Sequence, residues 1–198
     1  MAQIDYYLFP LSPFGYLAGL GLEEIAARRG AHVVYKPVQL FRIFEATGTP
    51  MVKDRHVSRQ RYRLQDIARV ARRAGLPVNL RPAHWPTNAA PASAAIIAAQ
   101  AAGGGDLGGL VHAFLRAVWA EDRDIAEDAV VRDVLDAHGF DPALADRDLM
   151  GAMETLQRNT DEALRRGVFG APTYVVGEDV FWGQDRLPHL NDHLAASG

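Results

Sequence analysis

The stretch Ile4-Asp5-Tyr6-Tyr7-Leu8-Phe9-Pro10-Leu11-Ser12-Pro13-Phe14-Gly15 decides how the rest of the chain is read. Ile4–Phe9 is short, mostly apolar and rich in β-formers, as a buried strand should be. Pro10 has no N–H to continue a ladder, so the strand stops there. Ser12 suits a helix cap, and Pro13 suits the first helical position, where its missing N–H costs nothing. Tyr16, Leu17, Leu20 and Ile25 then give an apolar stripe that carries one helix to Gly30, with Arg28 and Arg29 near its negative end. His32–Val38 reads as a second strand. Strand, helix, strand in that order predicts a βαβ unit with parallel strands and a right-handed crossover.

Beyond Val38 the texture changes. From Leu40 to about Arg166 the pattern gives helices and loops without a convincing strand. A short helix is expected over Leu40–Thr47, then an irregular loop over Gly48–Val57. Ser58 can cap a helix to Ala74, with Tyr62, Ile67, Val70, Ala71 and Ala74 facing inward. A proline-rich loop follows to Pro91, then an alanine-rich helix over Ala92–Ala102. Asp106 caps the next helix, whose Leu107, Leu110, Val111, Phe114, Leu115, Val118 and Trp119 form the clearest amphipathic face in the chain. Two more helices fall near Glu127–His138 and Arg147–Arg166. Strand character returns in Thr173–Val176 and Val180–Trp182, a hairpin across Gly177-Glu178-Asp179, before a last helix over Leu187–Ala196.

This plan, βαβ, helices, ββα, is that of an α/β thioredoxin-like fold with a large all-helical insertion. It divides the chain into a discontinuous thioredoxin-like unit, residues 1–39 and 167–198, and a helical unit, residues 40–166. Two local features agree. Ser12-Pro13-Phe14-Gly15 occupies the turn where redox members of that fold carry Cys-x-x-Cys. Gly170-Ala171-Pro172-Thr173 stands where the fold places a cis-proline facing that turn, which would leave the Ala171 backbone groups available to an extended peptide.

Composition narrows the chemistry. The 198 residues contain no cysteine, so a thiol nucleophile, a dithiol redox centre and a Cys-type metal site are all excluded. Apolar residues make up 48% and charged residues 23%, an ordinary globular balance. A net charge of −3 argues against a general nucleic-acid-binding surface. No run of apolar residues is long enough for a membrane span. The first residues lack a basic and apolar leader, so the cytoplasm is the expected location. A thioredoxin-like turn without cysteine keeps a helix N-terminus and the Ser12 hydroxyl. Such a turn can bind an exogenous thiol and favour its thiolate, with glutathione the foremost candidate. From residue type alone, a purely capping role for Ser12 stays equally open.

The segments Phe9–Ala18, Val168-Phe169-Gly170-Ala171-Pro172-Thr173 and Phe181-Trp182-Gly183-Gln184-Asp185-Arg186-Leu187 resemble the 2-hydroxychromene-2-carboxylate isomerases, relatives of kappa-class glutathione transferases and of DsbA. The resemblance covers nearly the whole chain. It implies glutathione as cofactor, with Ser12 holding its sulfur as thiolate and Ala171, before Pro172, offering backbone groups to its cysteinyl part. It implies that Trp182, Gly183, Gln184 and Asp185 hold the γ-glutamyl end, Gln184 standing where the family commonly has Asn. For the organic substrate it implies Asp54, Arg55 and Trp85, and a place near Phe44 where naphthalene-pathway members carry a lysine that this chain lacks. The implied reaction is reversible thiolate addition to an aromatic unsaturated keto acid, giving cis–trans isomerisation, and the implied assembly is a homodimer.

Other readings are weaker. His189 and His193 are spaced i, i+4 but have no third ligand nearby, so no metal site is expected. Arg59, Arg61, Arg63, Arg69, Arg72 and Arg73 read as helix surface or ion-paired, with Arg55 alone singled out. Trp119 reads as core, and Trp85 as either core or pocket wall. The functional alternatives are a kappa-like glutathione transferase and a non-catalytic peptide-binding module.

Overall fold

A computed structural model describes residues 1–196; the last two residues of the expected 167–198 segment lie outside it. Four strands form one sheet in the order β2-β1-β3-β4: β1 (Gln3–Leu8), β2 (His32–Pro37), β3 (Thr173–Val176) and β4 (Asp179–Trp182). β1 and β2 are parallel, from Gln3 opposite His32 to Leu8 opposite Pro37. β3 runs antiparallel to β1, and β4 antiparallel to β3 across the two residues Gly177-Glu178. Both expected units, the βαβ and the terminal hairpin, are present.

The expected single helix from Pro13 to Gly30 is two: α1 (Pro13–Leu17) and α2 (Gly21–Arg29). Between them Gly19 adopts φ +59°, a left-handed conformation that breaks the helical run at little cost only for glycine. Ser12 caps α1 as expected, and Gly30 ends α2 in the left-handed region.

Six helices lie between β2 and β3: α3 (Leu40–Thr47), α4 (Val57–Ala74), α5 (Ala90–Ala102), α6 (Leu107–Ala120), α7 (Asp128–Ala137) and α8 (Leu149–Arg165). α9 (Leu187–Ala196) closes the chain. Asp106 caps α6 through the Gly109 N–H at 2.9 Å, as its position predicts. α4 departs from expectation at both its cap and its face. His56 stands at the N-cap and its ring accepts the Ser58 N–H, so Ser58 is already inside the helix. Ile67 and Ala71 are buried, whereas Tyr62 and Ala74 are exposed. The inward stripe is rotated to run through Arg63, which is why a hydrophobic-only pattern misplaced it.

The insertion has a small apolar cluster of its own, Ala94, Ile97, Ala152 and Leu156, and also packs directly on the sheet. Ile4, Tyr6 and Leu8 of β1 share one apolar cluster with Ile96 of α5, Phe114 of α6 and Val131 of α7. A polar knot sits on the opposite face of β1, beside Tyr7 and Ala163. Asp5, almost fully buried in β1, receives Lys36 Nζ of β2 at 3.3 Å and Arg166 Nη1, just beyond α8, at 2.8 Å. Lys36 also reaches Glu162 of α8 at 2.8 Å. A charge taken from water is tolerated when it is paired this closely.

A second, partly buried carboxylate is less well matched. Glu23 of α2 accepts the Tyr35 hydroxyl on Oε1 at 2.8 Å, but Oε2 is buried without a hydrogen-bond partner among the described residues. Burial pushes its pKa above the usual carboxylate range, against the pull of the Tyr35 bond. The folded state thus favours the protonated form, and stability from this group falls as pH rises through its titration. Glu23→Gln keeps an acceptor for Tyr35 and removes the charge. It should raise the urea midpoint at pH 7, with the gain shrinking as pH falls through the raised Glu23 titration and gone below about 4, where the carboxylate is neutral in both states.

Candidate active site

Ser12 lies between β1 and α1, where the chain leaves the sheet. Its Oγ accepts the Gly15 N–H at 3.1 Å and donates to the Ala171 carbonyl at 3.1 Å. The Ala171–Pro172 peptide bond is cis. The two segments singled out from sequence, 159 positions apart, are therefore in direct contact. The Ala171 carbonyl, expected to be open to a peptide, is occupied by the Ser12 hydroxyl.

The helical block supplies the opposite wall. The indole N–H groups of Trp85 and Trp119 both donate to the Leu11 carbonyl, each at 3.3 Å. This pins the residue before Ser12 to two separate parts of the insertion. Trp119 is core, as expected; Trp85 both packs and lines the site.

Between the walls lies a cavity of about 390 Å³. Ser12, Phe14 and Leu11 line it from the first turn, Ala171 and Phe169 from the cis-proline segment, and Phe44, Trp85 and Pro50 from the insertion. Trp182 closes one side, edge-to-face with Phe169 at 4.8 Å between ring centres. Its indole lies over Gly170, where an added Cβ would come within 2.5 Å of Nε1, so only glycine permits this approach.

The cavity gathers some expected residues and leaves others outside. Ser12, Ala171, Trp182, Phe44, Arg55 and Trp85 line it. Pro172 is buried immediately behind Ala171. Gly183, Gln184 and Asp185 do not line it; they continue from Trp182 into a short 3-10 turn over Gln184–Arg186. The Gly183 N–H donates to the Pro172 carbonyl at 2.9 Å, and the exposed Asp185 pairs with its neighbour Arg186 at 2.8 Å. Asp54 is exposed, in the 3-10 turn Val52–Asp54, and is not a lining residue.

Two charged lining residues escaped the sequence reading: Arg59 and Arg63, taken there for helix surface or ion-paired. With Arg55 they recur every four residues along α4 and the turn before it, a spacing that puts them on one face. None of the three has a carboxylate partner among the described residues. Arg55 lies over the Phe44 ring at 5.7 Å and donates through Nε to the Pro50 carbonyl at 3.1 Å. Arg63 lies over Trp85 and Trp119, at 5.4 Å and 5.9 Å from the ring centres. Burial, and then the charge of Arg55, pushes the Arg63 pKa down to about 10. Burial and Arg59 lower that of Arg55. The guanidinium groups stay charged at neutral pH, so the cavity is apolar-walled and cationic.

A family model for the DSBA-like thioredoxin domain matches residues 3–195. The 2-hydroxychromene-2-carboxylate isomerase of Sphingobium xenophagum is 30% identical, covering 96% of this chain and 97% of its own. That of Pseudomonas putida is 31% identical, covering 93% and 90%. The chain belongs to the DsbA-like thioredoxin family, in its 2-hydroxychromene-2-carboxylate isomerase branch. A solved structure of a 2-hydroxychromene-2-carboxylate isomerase superposes with a TM-score of 0.80 at 27% identity, over 98% of this chain and 95% of that one. Membership of this branch makes the protein an enzyme of the isomerase class.

The Ser12 contacts predict a separable structural effect. Ser12→Ala removes the α1 cap and the bond to Ala171, and should cost about 0.5–2 kcal/mol in urea denaturation. A loss well above that range would mean that the hydroxyl holds the site together beyond these two bonds.

Proposed function

We propose that the protein is a glutathione-dependent cis–trans isomerase of an aromatic unsaturated keto acid, of the type that converts 2-hydroxychromene-2-carboxylate to trans-o-hydroxybenzylidenepyruvate. One observation carries the reading. A serine hydroxyl, in a chain without cysteine, meets the backbone of the residue before a cis-proline at the wall of a cationic, apolar cavity. The names borne by the relatives support the same reaction class.

The residues fit glutathione, a peptide thiol with two carboxylates and an ammonium group. When bound, glutathione supplies a thiolate able to add reversibly to the conjugated alkene, so that the former double bond can rotate. Ser12 would turn its hydroxyl from the Ala171 carbonyl toward the sulfur, favouring the thiolate by hydrogen bonding. The same rotation releases the Ala171 carbonyl to accept a backbone N–H from the cysteinyl part. Trp182 would flank the γ-glutamyl end, and the Asp185 carboxylate would exchange Arg186 for its ammonium. Arg55 would pair the substrate carboxylate and stabilise negative charge developing on the keto acid. Phe44 and Trp85 would exclude water from the reacting carbons, which strengthens each of these interactions.

The test is product analysis with and without glutathione, using wild type and Ser12→Ala at a temperature where both are folded. We expect turnover to need glutathione, to leave it unconsumed, and to fall on the order of 100-fold in Ser12→Ala, the cost of losing one positioned donor. Consumption of glutathione would make the enzyme a kappa-like transferase. Turnover without glutathione, or unchanged in Ser12→Ala, would contradict the thiolate role.

A further inference from the structure

Beside the cavity lies a second one of about 280 Å³, open to solvent past Leu80 and Arg81. Val52, Arg63 and Trp85 line both, so Arg63 and the Trp85 indole form part of the wall between them. The second chamber is otherwise lined by Gln60, Leu64, Leu80, Arg81, Pro82 and Trp119. Neither chamber has an Asp or Glu among its lining residues. Arg81, like Arg63, has no carboxylate partner among the described residues.

A desolvated charge without a partner is unfavourable unless something repays it. The two indole faces offset part of that cost by cation–π attraction. They hold the Arg63 guanidinium at the border of the chambers with its donors uncommitted, since it makes no hydrogen bond among the described residues. The charge ledger leaves Arg63 over. On the reading above, the substrate carboxylate takes Arg55, while Arg59 lies beside Arg55 on the same wall and is available to a glutathione carboxylate. Arg63, one turn further along α4 than Arg59, also lines the chamber that Arg81 lines.

We propose that Arg63 and Arg81 form an anion subsite for a second acidic group, carried on the aromatic ring of the organic substrate. The preferred substrate class is thus an aromatic unsaturated keto acid bearing a ring carboxylate, with its ring along Trp85. Arg63 sets this specificity; it touches neither the alkene nor the thiol. The proposal rests on the substrate class of the proposed reaction, but its test does not use turnover.

The test compares benzylidenepyruvate, with one carboxylate, and 4-carboxybenzylidenepyruvate, with two. Binding is read from quenching of intrinsic tryptophan fluorescence at low salt, without glutathione. Wild type should bind the dicarboxylate roughly tenfold tighter, the worth of one charge-assisted hydrogen bond set against its desolvation. Arg63→Met and Arg81→Met should each bring that ratio toward one, and Arg63→Lys should keep part of it. Arg81 is exposed, so its variant remains informative if Arg63→Met fails to fold. Equal binding of the two compounds by wild type would overturn the proposal, as would a ratio that survives both methionine variants. A purely structural Arg63 would weaken both ligands alike and leave the ratio standing. Loss of glutathione affinity by calorimetry, with the ratio intact, would assign these arginines to glutathione. Failure of the isomerase reading would show in the separate product assay, as no glutathione-dependent turnover of 2-hydroxychromene-2-carboxylate, while the binding ratio remained.

Discussion

The Leu11 carbonyl accepts two indole N–H groups, one from Trp85 in the long loop before α5 and one from Trp119 at the end of α6. These bonds join the first turn after β1 to the helical insertion at the residue next to Ser12. A buried backbone carbonyl needs at least one partner, and here the insertion provides both. With Leu11 fixed, Ser12 faces Ala171 on one side, while Trp85 and the α4 arginines face Ser12 across the cavity. The site is therefore the seam between the thioredoxin-like sheet and the insertion, and neither half contains it alone.

The electrostatics of that seam follow from composition and register together. The chain is net acidic, yet its cavity holds three guanidinium groups and no carboxylate among its lining residues. Elsewhere several arginines are matched: Arg132 meets Asp128 and Asp146, Arg166 meets Asp5, and Arg123 meets Asp133. Unmatched guanidinium groups, partly desolvated at Arg55 and Arg63, favour anionic ligands in the cavity. Aromatic faces at Phe44, Trp85 and Trp119 hold two of the three without neutralising them.

Much of this was legible in the sequence because local and global signals agreed. Strand periodicity, the Pro10 stop, the Ser12 cap and the Asp106 cap each report a local preference that the tertiary structure keeps. The meeting of Ser12 with the segment at Pro172 was readable only through the fold plan, which brings residues 159 positions apart together. What failed depended on tertiary context. The break at Gly19 does not interrupt the apolar stripe, so periodicity ran through it. α4 turns a charged residue inward at Arg63, and a search for apolar spacing then selected Tyr62. The four-residue recurrence of Arg55, Arg59 and Arg63 was visible, but nothing local distinguishes a cavity face from a solvated one.

The central claim is that the reactive sulfur comes from outside the chain and is received by Ser12. A crystal structure of the protein with bound glutathione tests it most directly. The account predicts the sulfur within hydrogen-bond reach of Ser12 Oγ, with the cysteinyl backbone paired to Ala171. Glutathione bound elsewhere, or Ser12 still donating to Ala171 with no contact to the sulfur, would contradict it.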